Sequence, residues 1–301
     1  MLNIHKYGAI DIGSNAIRLL IANVIEQPGK KAIFRKSALI RVPIRLGEDV
    51  FKDHYISEAN VQRMLDAMQA FRLLMNAHKV THYRACATSA MREASNGESV
   101  AKLIKEKTAI TIDIIGGEEE AAIIAATDLY TIIDSEKNYL YVDVGGGSTE
   151  FTIYSHGKVV TSRSFQIGTV RILNGLVTED DWKTLEQWIK TNTSSYEFID
   201  IIGSGGNINK IFKLSGKKAG KPLSYLFLSS YYKQLQKLSY DERIVDLGLN
   251  QDRADVIIPA TRIYLSAMKW ARSKYIFVPK IGLADGIIKS QYLANSIDEN
   301  L

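Results

Sequence analysis

Two short stretches of this sequence place an aspartate beside a tight turn of small residues. Near the start the chain reads Ala9-Ile10-Asp11-Ile12-Gly13-Ser14-Asn15-Ala16-Ile17-Arg18-Leu19-Leu20-Ile21, and roughly 130 residues later Tyr141-Val142-Asp143-Val144-Gly145-Gly146-Gly147-Ser148-Thr149-Glu150-Phe151-Thr152-Ile153. Each is an apolar strand, a Gly and Ser/Asn turn and a second strand, a β-hairpin with an acid at the end of its first strand. Laid on each other, Asp11 matches Asp143, Gly13 matches Gly145 and Arg18 matches Glu150. Backbone amides at such a turn form an anion-binding concavity, and two turns facing across a cleft could hold consecutive phosphates. Three successive glycines, Gly145, Gly146 and Gly147, cost backbone entropy and imply a close approach. Asp11 and Asp143 are placed to hold Mg²⁺ directly or through water, because hard cations take carboxylate and phosphate oxygen together. Turn capping accounts for one such aspartate, but a matched pair asks for more. Arg18 and Glu150 then present a cation from one half and an anion from the other, a phosphate clamp and a carboxylate for metal or water.

Further stretches join these. Gly116-Gly117-Glu118-Glu119-Glu120-Ala121-Ala122 sets a glycine pair after a strand and three carboxylates in the first turn of a helix. Acids there complement the helix dipole, yet the three point in different directions, and one or two could face a cleft to orient a water. Ala87-Thr88-Ser89-Ala90-Met91-Arg92-Glu93 places Arg92 in a first turn, against the dipole unless it pairs with Glu93 or Glu98 or an anion binds there. Gly203-Ser204-Gly205-Gly206-Asn207 opens a helix but continues with Ile208, so it is no dinucleotide fingerprint. Lys213, Lys217, Lys218 and Lys221 read as a solvated loop that could also guide a polyanion toward the cleft. The five histidines lack metal-ligand spacing. Cys86, the only cysteine, lies in apolar surroundings as a core filler.

The elements that position these residues alternate. After the first hairpin the pattern predicts strands at 32–34 and 40–44, and a helix over 57–77 with Val61, Met64, Leu65, Met68 and Phe71 on one face. A strand at 83–87, a helix over 90–107, a strand at 110–115 and a helix from Glu118 follow. The second half predicts a strand at 159–163, a helix through Trp182 and Trp188, a strand at 198–202, helices, a strand at 275–278 and a closing helix from Leu283. This is α/β architecture with a mixed sheet in each of two domains. The first covers 1–125, rejoined by the helix at 283–301, and the second 126–282, with the boundary between 125 and 137.

The 301 residues are 46% hydrophobic and 24% charged, with a net charge of +5, a composition that excludes disordered and collagen-like chains. The mild positive excess favours anionic ligands without marking a nucleic-acid binder. One cysteine excludes an intramolecular disulfide framework and fits a reducing compartment. The N-terminus carries no signal-peptide pattern, and the most apolar run, 121–133, is short and interrupted by Asp128. A cytoplasmic protein that contacts no membrane is expected, and a homodimer would cover surface on a chain this apolar.

Asp11-Ile-Gly-Ser-Asn with Arg18, Ala87-Thr-Ser-Ala-Met-Arg92, Gly117-Glu-Glu-Glu-Ala, Asp143-Val-Gly-Gly-Gly-Ser-Thr-Glu150 and the Gly203 loop together resemble the exopolyphosphatase and guanosine pentaphosphate phosphohydrolase family, within the actin-like ATPase superfamily. In order and spacing the resemblance spans nearly the whole chain. It implies two ribonuclease H-like domains, mixed sheets flanked by helices, with the active-site cleft between them. It also implies hydrolysis of a terminal phosphoryl group dependent on Mg²⁺ or another divalent metal. Carried over residue by residue, it makes Glu120 the catalytic base and gives Asp143 and Glu150 metal and water handling. Ser14, Asn15 and the turn from Gly145 through Gly146 and Gly147 to Ser148 become phosphate-binding, with Arg18 and Arg92 on phosphate. Long members of the family continue into a helical HD-type domain, whereas this sequence ends at Leu301, so the resemblance is to the short form, with weaker gripping of long polymers expected. Two substitutions depart from the pattern: Asn207 where a threonine is usual, and Ala284 where an arginine is usual.

The function expected is an exopolyphosphatase acting on inorganic polyphosphate. Guanosine pentaphosphate is the alternative substrate; an actin-like kinase or ATPase, or a non-catalytic nucleotide sensor, is the alternative class.

Overall fold

The computed structural model describes residues 2–125, 127, 134 and 136–298. The chain divides into two compact units, Met1–Thr127 with Leu283–Leu301, and Asp128–Gly282. The junction expected between 125 and 137 falls largely on residues 126, 128–133 and 135, outside the described residues.

The first unit opens with β1 (Asn3–Ile12), β2 (Ile17–Glu26) and β3 (Ile33–Val42), an antiparallel meander. It continues through α1 (Leu46–Asp53), α2 (Glu58–Ala77), β4 (His82–Ala87), α3 (Ser89–Glu93), α4 (Gly97–Thr108), β5 (Ile112–Ile114) and α5 (Gly117–Ala125). β4 runs parallel to β1 and β5 parallel to β4, giving the order β3-β2-β1-β4-β5. β1 is central, and every residue from Tyr7 to Ile12 is buried, the continuous run expected of a strand covered on both faces. β3 is one ten-residue edge strand where the pattern predicted two short ones, because Arg35, Lys36 and Ser37 interrupt the apolar signal. Charged residues are tolerated, and useful, on an edge. In α2 the Ser57 hydroxyl caps Asn60 N–H, and Met64, Met68 and Phe71 are buried as predicted, joined by Met75. The single helix expected over 90–107 is two. Asn96 holds the break between α3 and α4 by exchanging hydrogen bonds with the Ile56 backbone, 2.9 Å in both directions. α1 carried no recognised sequence signal.

The second unit repeats the plan: β6 (Asn138–Val144), β7 (Thr149–Ser155), β8 (Lys158–Phe165), α6 (Thr169–Leu173), α7 (Glu179–Thr193), β9 (Asp200–Ser204), α8 (Gly206–Leu214), β10 (Leu223–Ser224), α9 (Tyr225–Lys237), α10 (Tyr240–Val245), α11 (Gln251–Ala254), α12 (Ile257–Trp270) and β11 (Tyr275–Phe277). Its sheet runs β10-β11-β9-β6-β7-β8. Read from the other edge, β8-β7-β6-β9-β11 reproduces β3-β2-β1-β4-β5 with the same strand directions. Each sheet is therefore the ribonuclease H-like arrangement. Leu140, Val142, Phe151 and Ile201 of the sheet pack with Ile263, Ala267 and Met268 of α12 in one core, each fully buried side chain larger than alanine contributing about 1.5–3 kcal/mol.

The final helix, α13 (Leu283–Asp298), belongs with the first unit: Gln291 Nε2 donates to Gly8 O at 3.1 Å and the Tyr292 hydroxyl to Glu26 Oε1 at 2.7 Å. Cys86 is fully buried in β4, and burial pushes its thiol up to about 12, as fits a core filler. Among the described residues no helix is long and apolar enough to cross a membrane.

Candidate active site

In the first unit, β1 delivers Asp11 to the sheet's end and the hairpin register sets Arg18 directly opposite. Arg18 Nη1 donates to Asp11 Oδ2 at 2.8 Å. The turn between them is anchored from outside. Ser14 Oγ lies 2.9 Å from Ser89 Oγ, both residues buried, which ties the turn to the start of α3. Gly47 N–H donates to Ser14 O at 2.8 Å and Arg45 N–H to Asn15 O at 3.2 Å. In a planar trans peptide the next N–H points opposite to the C=O, so the amides of Asn15 and Ala16 face away from residues 45–47.

The three glutamates of α5 separate cleanly. Glu118 is exposed. Glu119 Oε1 accepts from Arg84 Nη2 at 2.8 Å, and Arg84 Nε donates to Asp113 Oδ2 at 2.8 Å. Burial disfavours the Arg84 charge, but the two carboxylates outweigh it and raise its pKa. Glu120 alone is buried. Arg92, on α3, donates from Nη1 to Ile115 O at 2.6 Å, at the chain segment that leads through Gly116 and Gly117 into the Glu120 turn.

In the second unit Glu150 stands opposite Asp143 in the hairpin register, at the position Arg18 holds in the first. Glu150 is buried, and its Oε1 accepts from Ser148 Oγ at 2.6 Å and Ser164 Oγ at 3.0 Å. The glycine turn is held through its carbonyls: Thr169 N–H donates to Gly145 O at 3.0 Å, Val170 N–H to Gly146 O at 2.9 Å and Arg171 Nε to Gly147 O at 2.8 Å. By the same peptide geometry the amides of Gly146, Gly147 and Ser148 all point away from α6, a nest of donors suited to an anion. Gly168 permits this contact, since a Cβ there would lie 2.2 Å from Gly146 O.

A second close approach borders Asp143. Gly205 has φ 116°, and a Cβ on it would lie 2.9 Å from Val144 O, 3.2 Å from the Tyr264 hydroxyl and 3.6 Å from Asp143 Oδ1. The Tyr264 hydroxyl donates to Ser204 O. Tyr141 and Tyr264 are fully buried, and burial first, then the Asp143 charge, pushes both phenols well above their ordinary value.

Within the first unit the structure thus brings together Asp11, Ser14, Asn15 and Arg18, and links Arg92 to the segment that carries Glu120. Within the second it brings together Asp143, Gly145, Gly146, Gly147, Ser148 and Glu150. Sequence reasoning missed the residues that hold the two turns: Arg45 and Gly47 in one unit, Thr169 and Arg171 in the other. The equivalent place of both segments, just after the third strand of each repeat, was the available signal. Tyr264 had none, being one aromatic in an apolar helix.

Among the described residues no group of three or more His, Cys, Asp or Glu side chains is gathered to cage a metal ion. Mg²⁺ asks for less: one or two carboxylates, with water and substrate phosphate completing its shell. Asp143 and Glu150 fit that demand. Like charges directly opposite on neighbouring strands are unfavourable in themselves, and a divalent cation would offset them. Asp11 Oδ2 already accepts from Arg18, which suits this acid to orienting the arginine.

Two ribonuclease H-like units in one chain, each with an acid-ended hairpin turned by small residues, define the actin-like fold class. Within that class the chain belongs to the Ppx/GppA phosphatase family, whose sequence pattern matches residues 28–295. A Fusobacterium nucleatum protein named bifunctional 3-dehydroquinate synthase/phosphatase is 29% identical over 308 residues, 90% of this chain but 44% of that one. A Haemophilus influenzae protein provisionally named exopolyphosphatase is 23% identical over 285 residues, 88% of this chain and 84% of that one. This chain therefore spans less than half the length of the first relative and most of the second. Among solved structures, an exopolyphosphatase from Cytophaga hutchinsonii superimposes with a TM-score of 0.83 at 24% identity, over 96% of this chain and 98% of that one, a likeness of fold.

Proposed function

We propose that this protein is an exopolyphosphatase that hydrolyses the terminal phosphoanhydride of inorganic polyphosphate in the cytoplasm. The observation that carries the reading is the sorting of the α5 glutamates: Glu119 is committed to Arg84, Glu118 is exposed, and Glu120 is buried at the helix start. A buried carboxylate at that place is fit to orient and deprotonate a water for in-line attack on the terminal phosphorus. The amides of Gly146, Gly147 and Ser148, with those of the Ser14-Asn15 turn, bind phosphate oxygens. Arg18, held by Asp11, and Arg92, held by Ile115 O, balance the charge that spreads over the transferring group. Asp143 and Glu150 would hold Mg²⁺, which would supply Lewis-acid charge to the reacting phosphoryl group. Family membership supports phosphate-ester or anhydride chemistry.

The test is Mg²⁺-dependent phosphate release from medium-chain polyphosphate, guanosine pentaphosphate and ATP, measured in parallel for wild type and Glu120→Gln. Release chiefly from polyphosphate and lost in the variant supports the reading. Release chiefly from guanosine pentaphosphate transfers it to the alarmone, and release chiefly from ATP sinks it in favour of an ATPase or kinase.

A further inference from the structure

The lysine loop after α8 is not part of the half-sites described above. β11 runs parallel to β9 and β9 to β6, with Ile276 level with Ile201 and Ile201 level with Leu140. Tyr275, at the start of β11, is therefore level with Asp200 and Tyr139, four residues short of Asp143. That is about 13 Å along the strand direction. Lys217, Lys218, Lys221, Pro222 and Tyr275 line an open depression of about 300 Å³ at this end of the sheet. It lies at the opposite strand ends from the Gly145 to Ser148 turn.

The loop's own stretch of chain is one-sided in charge, although Asp200 stands level with Tyr275 on the neighbouring strand. From residue 201 to residue 240 the sequence holds seven lysines and no aspartate, glutamate or arginine. Solvated surfaces ordinarily intersperse both signs. The C-terminal dipole of α8 is worth about half a charge, and Lys213 in its last turn already answers it. Lys217 Nζ donates to Pro222 O at 2.7 Å, closing the loop on itself. Like charges clustered along one stretch of chain repel, and a polyanion bound there offsets the repulsion.

We propose that Lys217, Lys218 and Lys221, which line the depression together with Pro222 and Tyr275, form a second polyanion-binding site that anchors the distal stretch of a long polyphosphate chain. This rests on the reading of polyphosphate as substrate. The anchor binds backbone charge alone, so its contribution grows with chain length and falls with salt. It acts on affinity and leaves the chemical step unchanged.

The experiment compares wild type with Lys217→Gln/Lys218→Gln/Lys221→Gln and with the corresponding triple Arg variant. Binding of long-chain polyphosphate, tripolyphosphate and single-stranded DNA is measured in EDTA, and phosphate release from long-chain polyphosphate and tripolyphosphate in Mg²⁺. The Gln variant is expected to bind long-chain polyphosphate about tenfold more weakly, with a shallower salt dependence, and to keep both its tripolyphosphate kinetics and its long-chain kcat. The Arg variant should restore binding. Unchanged long-chain affinity in the Gln variant overturns the anchor and leaves the proposed activity standing. Equal loss for tripolyphosphate overturns it too, by placing the lysines at the cleavage site or by exposing a folding defect. Preference of these lysines for DNA over polyphosphate replaces it with a nucleic-acid site. Lysine-dependent long-chain binding in a protein that cleaves no polyphosphate keeps the anchor and defeats the activity.

Discussion

Arg18 Nη1 lies 2.8 Å from Asp11 Oδ2, whereas in the second hairpin the position of Arg18 is taken by Glu150, opposite Asp143. The same backbone device thus yields a self-neutralised pair in one unit and a doubly acidic pair in the other.

Arg18→Ala should destabilise the protein by stranding Asp11, which is 7% exposed at its side chain. Arg18 itself is 35% exposed, so solvent screening trims the cost to about 1–2 kcal/mol. In denaturant titrations the double variant Asp11→Ala/Arg18→Ala should be less destabilised than the sum of the two single changes. Additive losses would show that the pair does not couple.

Glu120→Gln and Glu119→Gln should part company. Phosphate release from polyphosphate should fall by about 10²- to 10⁴-fold in the first. The second breaks a partly exposed ion pair with Arg84, and should cost under about 1 kcal/mol of stability and leave kcat near wild type. Equal loss of activity in both would remove the distinction on which the assignment of the base stands.

Gly168→Ala pushes a methyl group against a carbonyl that has no freedom to retreat, since Gly146 O also accepts from Val170 N–H. A cost of about 1–3 kcal/mol is expected, together with a raised KM, because the Gly146 and Gly147 amides tilt with their peptides. Wild-type KM in a well-folded variant would refute the assignment of those amides to phosphate.

Removing the Tyr264 hydroxyl leaves Ser204 O, buried beside Asp143, without its donor. Tyr264→Phe should cost about 1–3 kcal/mol. It should also weaken Mg²⁺ affinity, read as a rise in the Mg²⁺ concentration for half-maximal rate, if Gly205 and Tyr264 hold Asp143 in place. An unchanged Mg²⁺ titration would confine the tyrosine to packing.

Alkaline pH should act through Cys86. Burial raises its thiol to about 12 in the folded protein, so between 9.0, its ordinary value, and about 12 the unfolded chain has lost a proton that the folded chain keeps. Stability is then unaffected by this group below pH 9.0 and declines as pH rises through that window. Cys86→Ala should flatten this part of the stability profile, and native Cys86 should resist thiol reagents at neutral pH. Rapid labelling of the folded protein would contradict the burial.

The sequence by itself determined the hairpins, the repeat that relates them and the alternation of strands and helices. These signals are local: strand periodicity, glycine turns and caps depend on residues within a few positions of each other. It also yielded the half-site acids, because Asp11 and Asp143 sit at strand ends that the pattern marks. What tertiary structure decided was the choice among chemically equivalent neighbours. Glu118, Glu119 and Glu120 are alike in composition and adjacent in sequence; only the tertiary fold gives Glu119 to Arg84 of β4 and buries Glu120. Tertiary structure likewise supplied the outside grip on each turn, Arg45 and Gly47 in one unit and Thr169 and Arg171 in the other. It also carried the lysine loop to the far end of its sheet, because α8 leads the chain away from the strand ends where the acids stand. Contacts between residues tens of positions apart are set by strand order and helix packing, and no local pattern encodes those distances.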